Sequence, residues 1–421
     1  MAKRKISLII KNASQLITLD SSNPLPRYGS KMNELGIIKN GAIAIHQNKI
    51  LEIGSTKKIM GKYQASHQID AYGKVVTPGL VDPHTHLVFA GDRSNEFEMR
   101  LKGATYQQIT AAGGGINATV RATRIASKNI LVKHALDSLK RFLNGGTTTL
   151  EAKSGYGLNL KDEIKILEVI KDLNSVQPVS IVPTFLGAHE IPKEYRNNKT
   201  GYIKLINKGM LPIVAKRKLA EFCDVFCEKG VFEIDESRQI LNEAKKYGLS
   251  IKLHADEFVQ LGGGELAAEL KATSADHLMA CSDKGIQKMK EKGVIAVLLP
   301  GTTFTLGLTK YAPARKMIDS GLAVALATDF NPGTSFTESM PLIMTLACIM
   351  MKMTPAEALT AATINAAYAV KRGEQLGSLT PQKQADVVIW QIPTYQHICY
   401  HFGVNLVEQV IKRGKVVVKN I

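Results

Sequence analysis

Eight apolar, β-branched runs recur through the middle of the chain, and most gaps between them carry helical periodicity. The runs are Val75–Val81, Thr147–Glu151, Ser180–Leu186, Val225–Cys227, Leu249–His254, Ser274–His277, Val294–Leu299 and Ala323–Thr328. Helical segments are expected at His134–Leu143, Leu160–Leu173, Glu236–Tyr247, Gly263–Leu270, Asp283–Lys292 and Pro313–Ser320. Strands alternating with helices predict a parallel sheet, and eight such repeats predict an α/β fold of the (β/α)8 barrel kind.

The two ends of the chain read differently. Ser7–Thr18, Gly41–His46 and Lys49–Ile53 look like short strands with turn signals, as do Ala385–Trp390, Val407–Ile411 and Val416–Val418. Neither end has enough strands for a core of its own. A small discontinuous β domain formed by both termini, residues 1–72 with 377–421, is therefore expected beside a barrel over 73–376. Before the C-terminal piece, Met340–Met353 and Pro355–Val370 read as helices, the second capped by Thr354 with Pro355 at its first position.

The 421 residues carry a formal charge of +17, which invites a nucleic-acid or membrane partner. Most of that surplus lies in three stretches: residues 3–11, Lys193–Lys218 and Glu408–Ile421. None overlaps the residues that carry chemistry, so they read as solvated surface, with neither nucleic acid nor membrane as partner. Five widely spaced cysteines do not make a disulfide framework, and Cys223 and Cys227 lack the second pair of a zinc cage. The N-terminus has no signal-peptide apolar region, and no apolar run reaches 18 residues. A soluble, cytoplasmic protein is expected.

The string Asp82-Pro83-His84-Thr85-His86 closes the first run. Residues two apart on a strand face one side, so His84 and His86 project together. His254 ends the fifth run, His277 the sixth, and Asp329 follows the eighth. Each histidine alone has an ordinary alternative as a hydrogen-bonded core residue. In a barrel, however, all strand C-termini open on one face. His84, His86, His254 and Asp329 then converge as three nitrogens and an oxygen with a position left for water, the pattern of a catalytic metal.

The segments PGLVDPHTH, HADE, ADHL, ATDFNPG and GSLTPQKQADVVIW together resemble the amidohydrolase superfamily. Within it, His84–Arg93, Lys153–Gly157, Phe185–Glu190 and Asp329–Thr334 resemble the imidazolonepropionase family. That resemblance spans roughly residues 40 to 415. It implies metal-dependent hydrolytic opening of 4-imidazolone-5-propanoate to N-formimidoyl-L-glutamate, in histidine degradation. It also implies a homodimer and places Tyr156 and His189 on the ring, with Asn331, Gly333 and Thr334 holding substrate or product. Arg93 suits the propionate tail, since a guanidinium is a planar fork for a carboxylate. Asp329 resembles the superfamily's general base, Glu257 is a second acid/base or substrate contact, and His277 would polarise the carbonyl. Binuclear relatives carry a carboxylated lysine at the end of the fourth strand, where this chain has Glu228. One metal ion per chain is expected, zinc or iron. A ring deaminase shares the metal set but has no use for Arg93. Gly113–Gly115 and Gly262–Gly264 read as loops, the first over the site mouth, and the methionines of 344–353 as helix core.

Overall fold

The computed structural model describes residues 3–20, 25–105, 108–109 and 112–420. Residues 1–2 and 421, assigned above to the terminal β domain, lie outside the described residues, as do 21–24.

The N-terminal strands are β1 (Arg4–Ala13), β2 (Gln15–Ile17), β3 (Ile37–Ile38), β4 (Gly41–His46), β5 (Lys49–Ser55) and β6 (Tyr63–Asp70). After β7 (Val75–Pro78) come β8 (Leu80–Asp82), β9 (Thr147–Lys153), β10 (Ser180–Ala188), β11 (Phe222–Cys227), β12 (Ser250–Ala255), β13 (Ser274–His277), β14 (Ile295–Leu298) and β15 (Val324–Leu326). The chain ends on β16 (Val387–Trp390), β17 (Val407–Lys412) and β18 (Lys415–Lys419).

Strands β8 to β15 form one eight-stranded parallel sheet in sequence order, with helices between successive strands. This is the (β/α)8 barrel expected above. The two ends of the chain build a six-stranded sheet, in the order β18-β17-β16-β7-β2-β3, and a four-stranded sheet, β5-β4-β1-β6. Both termini therefore share one small β domain.

Val75–Val81, read as a single strand, is divided. Residues 75–78 pair antiparallel with β16, where Trp390 Nε1 donates to Thr77 Oγ1 at 2.9 Å, and only Leu80–Asp82 joins the barrel. Gly79 is the switch between sheets: its amide donates to Asp386 O, and a Cβ there would overlap the Thr148 side chain. Periodicity alone cannot see such a change, because both halves are apolar and buried. Strand β6, polar and largely exposed, has no apolar run to announce it. Thr354 caps the helix that opens at Pro355, as its sequence predicts; the structure adds a capping box with Glu357 and a wide turn at Ala361–Asn365 within the helical stretch.

The barrel has no ladder between β8 and β15. It closes just beyond them. Asp329 N donates to His84 O at 3.1 Å, His86 N donates to Phe330 O at 2.9 Å, and Thr85 bridges to Phe330. Beneath them Asp82 accepts from Thr328 N at 3.2 Å and Thr328 Oγ1 at 2.5 Å.

One surface reading is corrected. Lys412, placed among solvated charges, is 3% exposed and pairs with Asp386 at 2.7 Å, because β17 turns it toward β16 under the barrel. In the Lys193–Lys218 stretch, Lys199, Lys208 and Arg217 pair with Glu236, Glu243 and Glu168.

Candidate metal centre

His84 and His86 stand in the segment that closes the barrel, so the bonds that join its first and last strands also fix these two rings. Lys153 N donates to Thr85 O, and the buried Lys252 ammonium donates to Pro83 O at 2.7 Å. His254 ends β12 with its amide on Asp224 Oδ1 at 3.1 Å. The four rings gather closely: the His84 centroid lies 5.3 Å from that of His86, 4.5 Å from His254 and 5.4 Å from His277. Asp329 Oδ1 sits 3.5 Å from His84 Nε2 and 3.4 Å from His86 Nε2.

The unused valences point to a cation. His84 Nε2, His254 Nε2 and Asp329 Oδ1 are buried and make no hydrogen bond to any described residue. Buried polar atoms are otherwise paired in folded proteins. Among the described residues three groups have donor atoms mutually within 4.8 Å, His84/His254/His277, His84/His86/Asp329 and His84/Glu151/Asp276, and all of these residues are buried. Burial, then repulsion from Lys153, His254 and neighbouring imidazoles, holds His84 well below its ordinary value, and burial does the same for His86. Neutral imidazoles with free lone pairs beside a carboxylate fit a zinc or iron ion.

Carboxylates lie beneath the other nitrogens of the His84 and His254 rings, with a hydrogen bond formed at His84. His84 Nδ1 lies 2.6 Å from Asp276 Oδ2, and His254 Nδ1 lies 3.1 Å from Asp224 Oδ2. These carboxylates, with Glu151, share two fully buried cations. Lys153 lies 2.8 Å from Glu151 and 2.7 Å from Asp224, and Lys252 lies 3.0 Å from Glu151. Burial disfavours the Lys153 ammonium, but Asp224, Glu151 and Asp276 together hold it above its usual range. None of these supporting residues was read as part of the site. The available signal was opposite charges two apart on one strand, Glu151 and Lys153, within an otherwise apolar run.

Above the donors opens a cavity of about 380 Å³, lined among others by His86, Arg93, Arg100, Tyr156, His189, Glu257, His277 and Asp329. His189 stacks on His86 at 4.9 Å, and its Nδ1 lies 3.0 Å from Gly155 O. Burial, followed by the Asp329 charge, pushes the Tyr156 phenol up. Glu257 is held well above the carboxylate range by burial, then by Asp329 and Glu228, and lies 3.6 Å from His277 Nε2. His277, with φ +76°, falls to about 3 through burial.

The last expected contacts divide. Asn331 and Thr334 line the cavity, while Gly333 lines a neighbouring one of about 570 Å³. Asn331 Oδ1 accepts the amides of Gly333 and Thr334, both at 2.8 Å, so its carbonyl side shapes this loop. A Cβ at Gly333 would overlap Arg93 Nη1, which explains the glycine. Glu228 follows β11 and accepts the amides of Phe258 and Val259. Gly115 and Ile116 lie at the mouth, whereas Gly262, Gly263 and Gly264 donate their amides to the buried Asp256 carboxylate.

The amidohydrolase family model matches residues 75–417. An imidazolonepropionase of Geobacillus sp. (strain WCH70) is 53% identical over 417 residues, 98% of each chain, and that of Geobacillus thermodenitrificans (strain NG80-2) is 54% identical over 415, again 98% of each. The chain belongs to the amidohydrolase family, among the imidazolonepropionases. As an amidohydrolase it is a metal-dependent hydrolase with a His/Asp cluster able to hold the ion. Its fold is also that of a zinc-bound adenosine deaminase from Xanthomonas campestris, at TM-score 0.73 and 16% identity over 99% of this chain and 94% of that one.

Proposed function

We propose that this amidohydrolase opens the ring of 4-imidazolone-5-propanoate by adding water across its amide C–N bond, releasing N-formimidoyl-L-glutamate. The observation that carries this reading is one cavity with unpartnered imidazole and carboxylate donors at its floor and guanidiniums at its mouth. A ring amide with a propionate tail needs both ends.

His84, His86, His254 and Asp329 would hold a zinc or iron ion, which supplies Lewis acidity, drawing charge from a carbonyl and acidifying water. Asp329 takes the proton of the attacking water, and Thr302 Oγ1 donates to its Oδ2. His277, neutral through burial, donates a hydrogen bond to the carbonyl oxygen as charge develops there. Glu257, protonated in its dry position, stands as the alternative group to deliver a proton to the departing ring nitrogen. The Gly155 carbonyl engages His189 Nδ1, which leaves Nε2 as an acceptor for a ring N–H. Tyr156 stays a neutral phenol and can donate to the ring substrate. Asn331, Gly333 and Thr334 form the loop against the bound ligand.

The same reading carries one metal ion per chain, a homodimer and a cytoplasmic location, checked by metal analysis, sedimentation and fractionation. The direct test adds freshly made imidazolonepropionate to the purified protein, with and without chelator, and follows its ultraviolet absorbance. Metal-dependent loss with appearance of formimidoylglutamate is expected. Persistence of the substrate with metal present would overturn the assignment.

A further inference from the structure

Two guanidiniums and one carboxylate meet at the cavity mouth, Glu96 and Arg100 on the helix Ser94–Leu101 and Arg93 immediately before it. Arg93 is already engaged: its Nε and Nη2 lie 2.9 and 2.8 Å from Glu96 Oε2. The other Glu96 oxygen accepts the Gly115 amide at 2.9 Å, and the two side chains are only 13% and 8% exposed. Arg93 and Glu96 thus form a closed, neutral, nearly dry pair. Arg100, four residues beyond Glu96 and one helical turn away, has no carboxylate partner among the described residues. Both its terminal nitrogens share Gly333 O at 3.3 Å, longer than a good N–H···O bond. An arginine stays protonated in a protein, so the net positive charge of the mouth resides on Arg100.

We infer that Arg100, with Arg93, binds the propionate carboxylate of the substrate. Arg93, oriented by Glu96, offers its remaining Nη1 beside Gly333. Arg100 brings the uncompensated charge that makes transfer of an anion out of water favourable, and exchanges its long contact with Gly333 O for a charge-assisted one. This rests on the substrate reading above.

The test separates the two. In the metal-loaded enzyme, Arg100→Met and Arg100→Lys are compared with wild type by steady-state kinetics on imidazolonepropionate. Calorimetric titration with imidazole-4-propanoate and with its uncharged amide follows. Arg100→Met is expected to raise KM on the order of 30-fold, far more than it lowers kcat, with partial recovery in Arg100→Lys. It should also abolish the wild-type preference for acid over amide. Glu96→Gln in the Arg100→Met background should restore part of that preference by releasing Arg93. If Arg100→Met keeps the wild-type preference, or wild type shows none, Arg100 is not the anion site. A wild type that binds the acid selectively yet leaves imidazolonepropionate intact would overturn the substrate reading and uphold the anion site.

Discussion

At the cavity floor, four carboxylates (Glu151, Asp224, Asp276 and Asp329), two ammonium groups and four imidazoles are buried together, whereas at the mouth one carboxylate and two guanidiniums stand beside exposed Phe97, Phe304 and Phe336. In the floor Lys153 and Lys252 link the Glu151, Asp224 and Asp276 carboxylates, so the directions of the His84 and His254 rings follow from charges that cannot reach water. In the mouth a single ion pair sets the geometry, and its partners lie within one short helix. Low dielectric makes the first arrangement rigid and costly to perturb. The second can adjust to a ligand.

Substitutions can break that contrast, beginning with the largest expected effect. Asp329→Asn should lower kcat by about 10³–10⁴-fold, while Glu257→Gln stays near wild type. The reverse result would move the essential proton acceptor to Glu257. Lys153→Met leaves the floor carboxylates short of a buried cation and should cost about 3–5 kcal/mol in denaturant titration. A loss under 1 kcal/mol would show that the network relaxes.

Asp82 gives a pH signature. Burial, against hydrogen bonds from Thr328 and His84, raises its carboxyl from 3.8 to about 7. A raised carboxyl contributes stability that is whole below about pH 4 and is lost as pH rises through 7. Asp82→Asn keeps a neutral acceptor there, so metal-free variant and wild type should match near pH 4. By pH 8 they should diverge by on the order of 2–4 kcal/mol in favour of the variant. Parallel melting profiles across that range would mean that Asp82 is already ionised in the fold.

Two smaller effects sharpen the comparison. Asp276→Asn weakens the hold on His84 Nδ1 and should reduce metal affinity by about 10–100-fold in competition with a fluorescent chelator. Phe97→Ser at the mouth, on a ring 45% exposed, should change stability by about 0.5 kcal/mol or less. A larger loss would make the mouth as tightly built as the floor.

The barrel was legible because its runs are apolar and evenly spaced, and the clustering of His84, His86, His254 and Asp329 because each lies at or just beyond the end of such a run. Asp224, Asp276 and Lys252 escaped notice for the opposite reason. Asp276 and Lys252 sit inside the runs and Asp224 immediately before one, where a lone charge beside apolar neighbours looks like an exposed face, and only the closed barrel turns that face inward. Arg100 was hidden differently: the sequence gives its helix no strong apolar stripe, and its meaning depends on Glu96 being occupied by Arg93. The split at Gly79 depended on partners more than 300 residues away in β16.

The closure of the barrel by His84 to His86 has a consequence for how this chain can change over time. The other barrel strands are joined edge to edge by ladders, but the first and last are buttoned together through the backbone of His84, His86, Asp329 and Phe330. Inserting or deleting one residue between Asp82 and His86 would misplace two of the candidate metal donors and unbutton the seam at once. Chemistry and architecture therefore veto the same mutations, and this stretch has less freedom to drift than either demand alone would leave it.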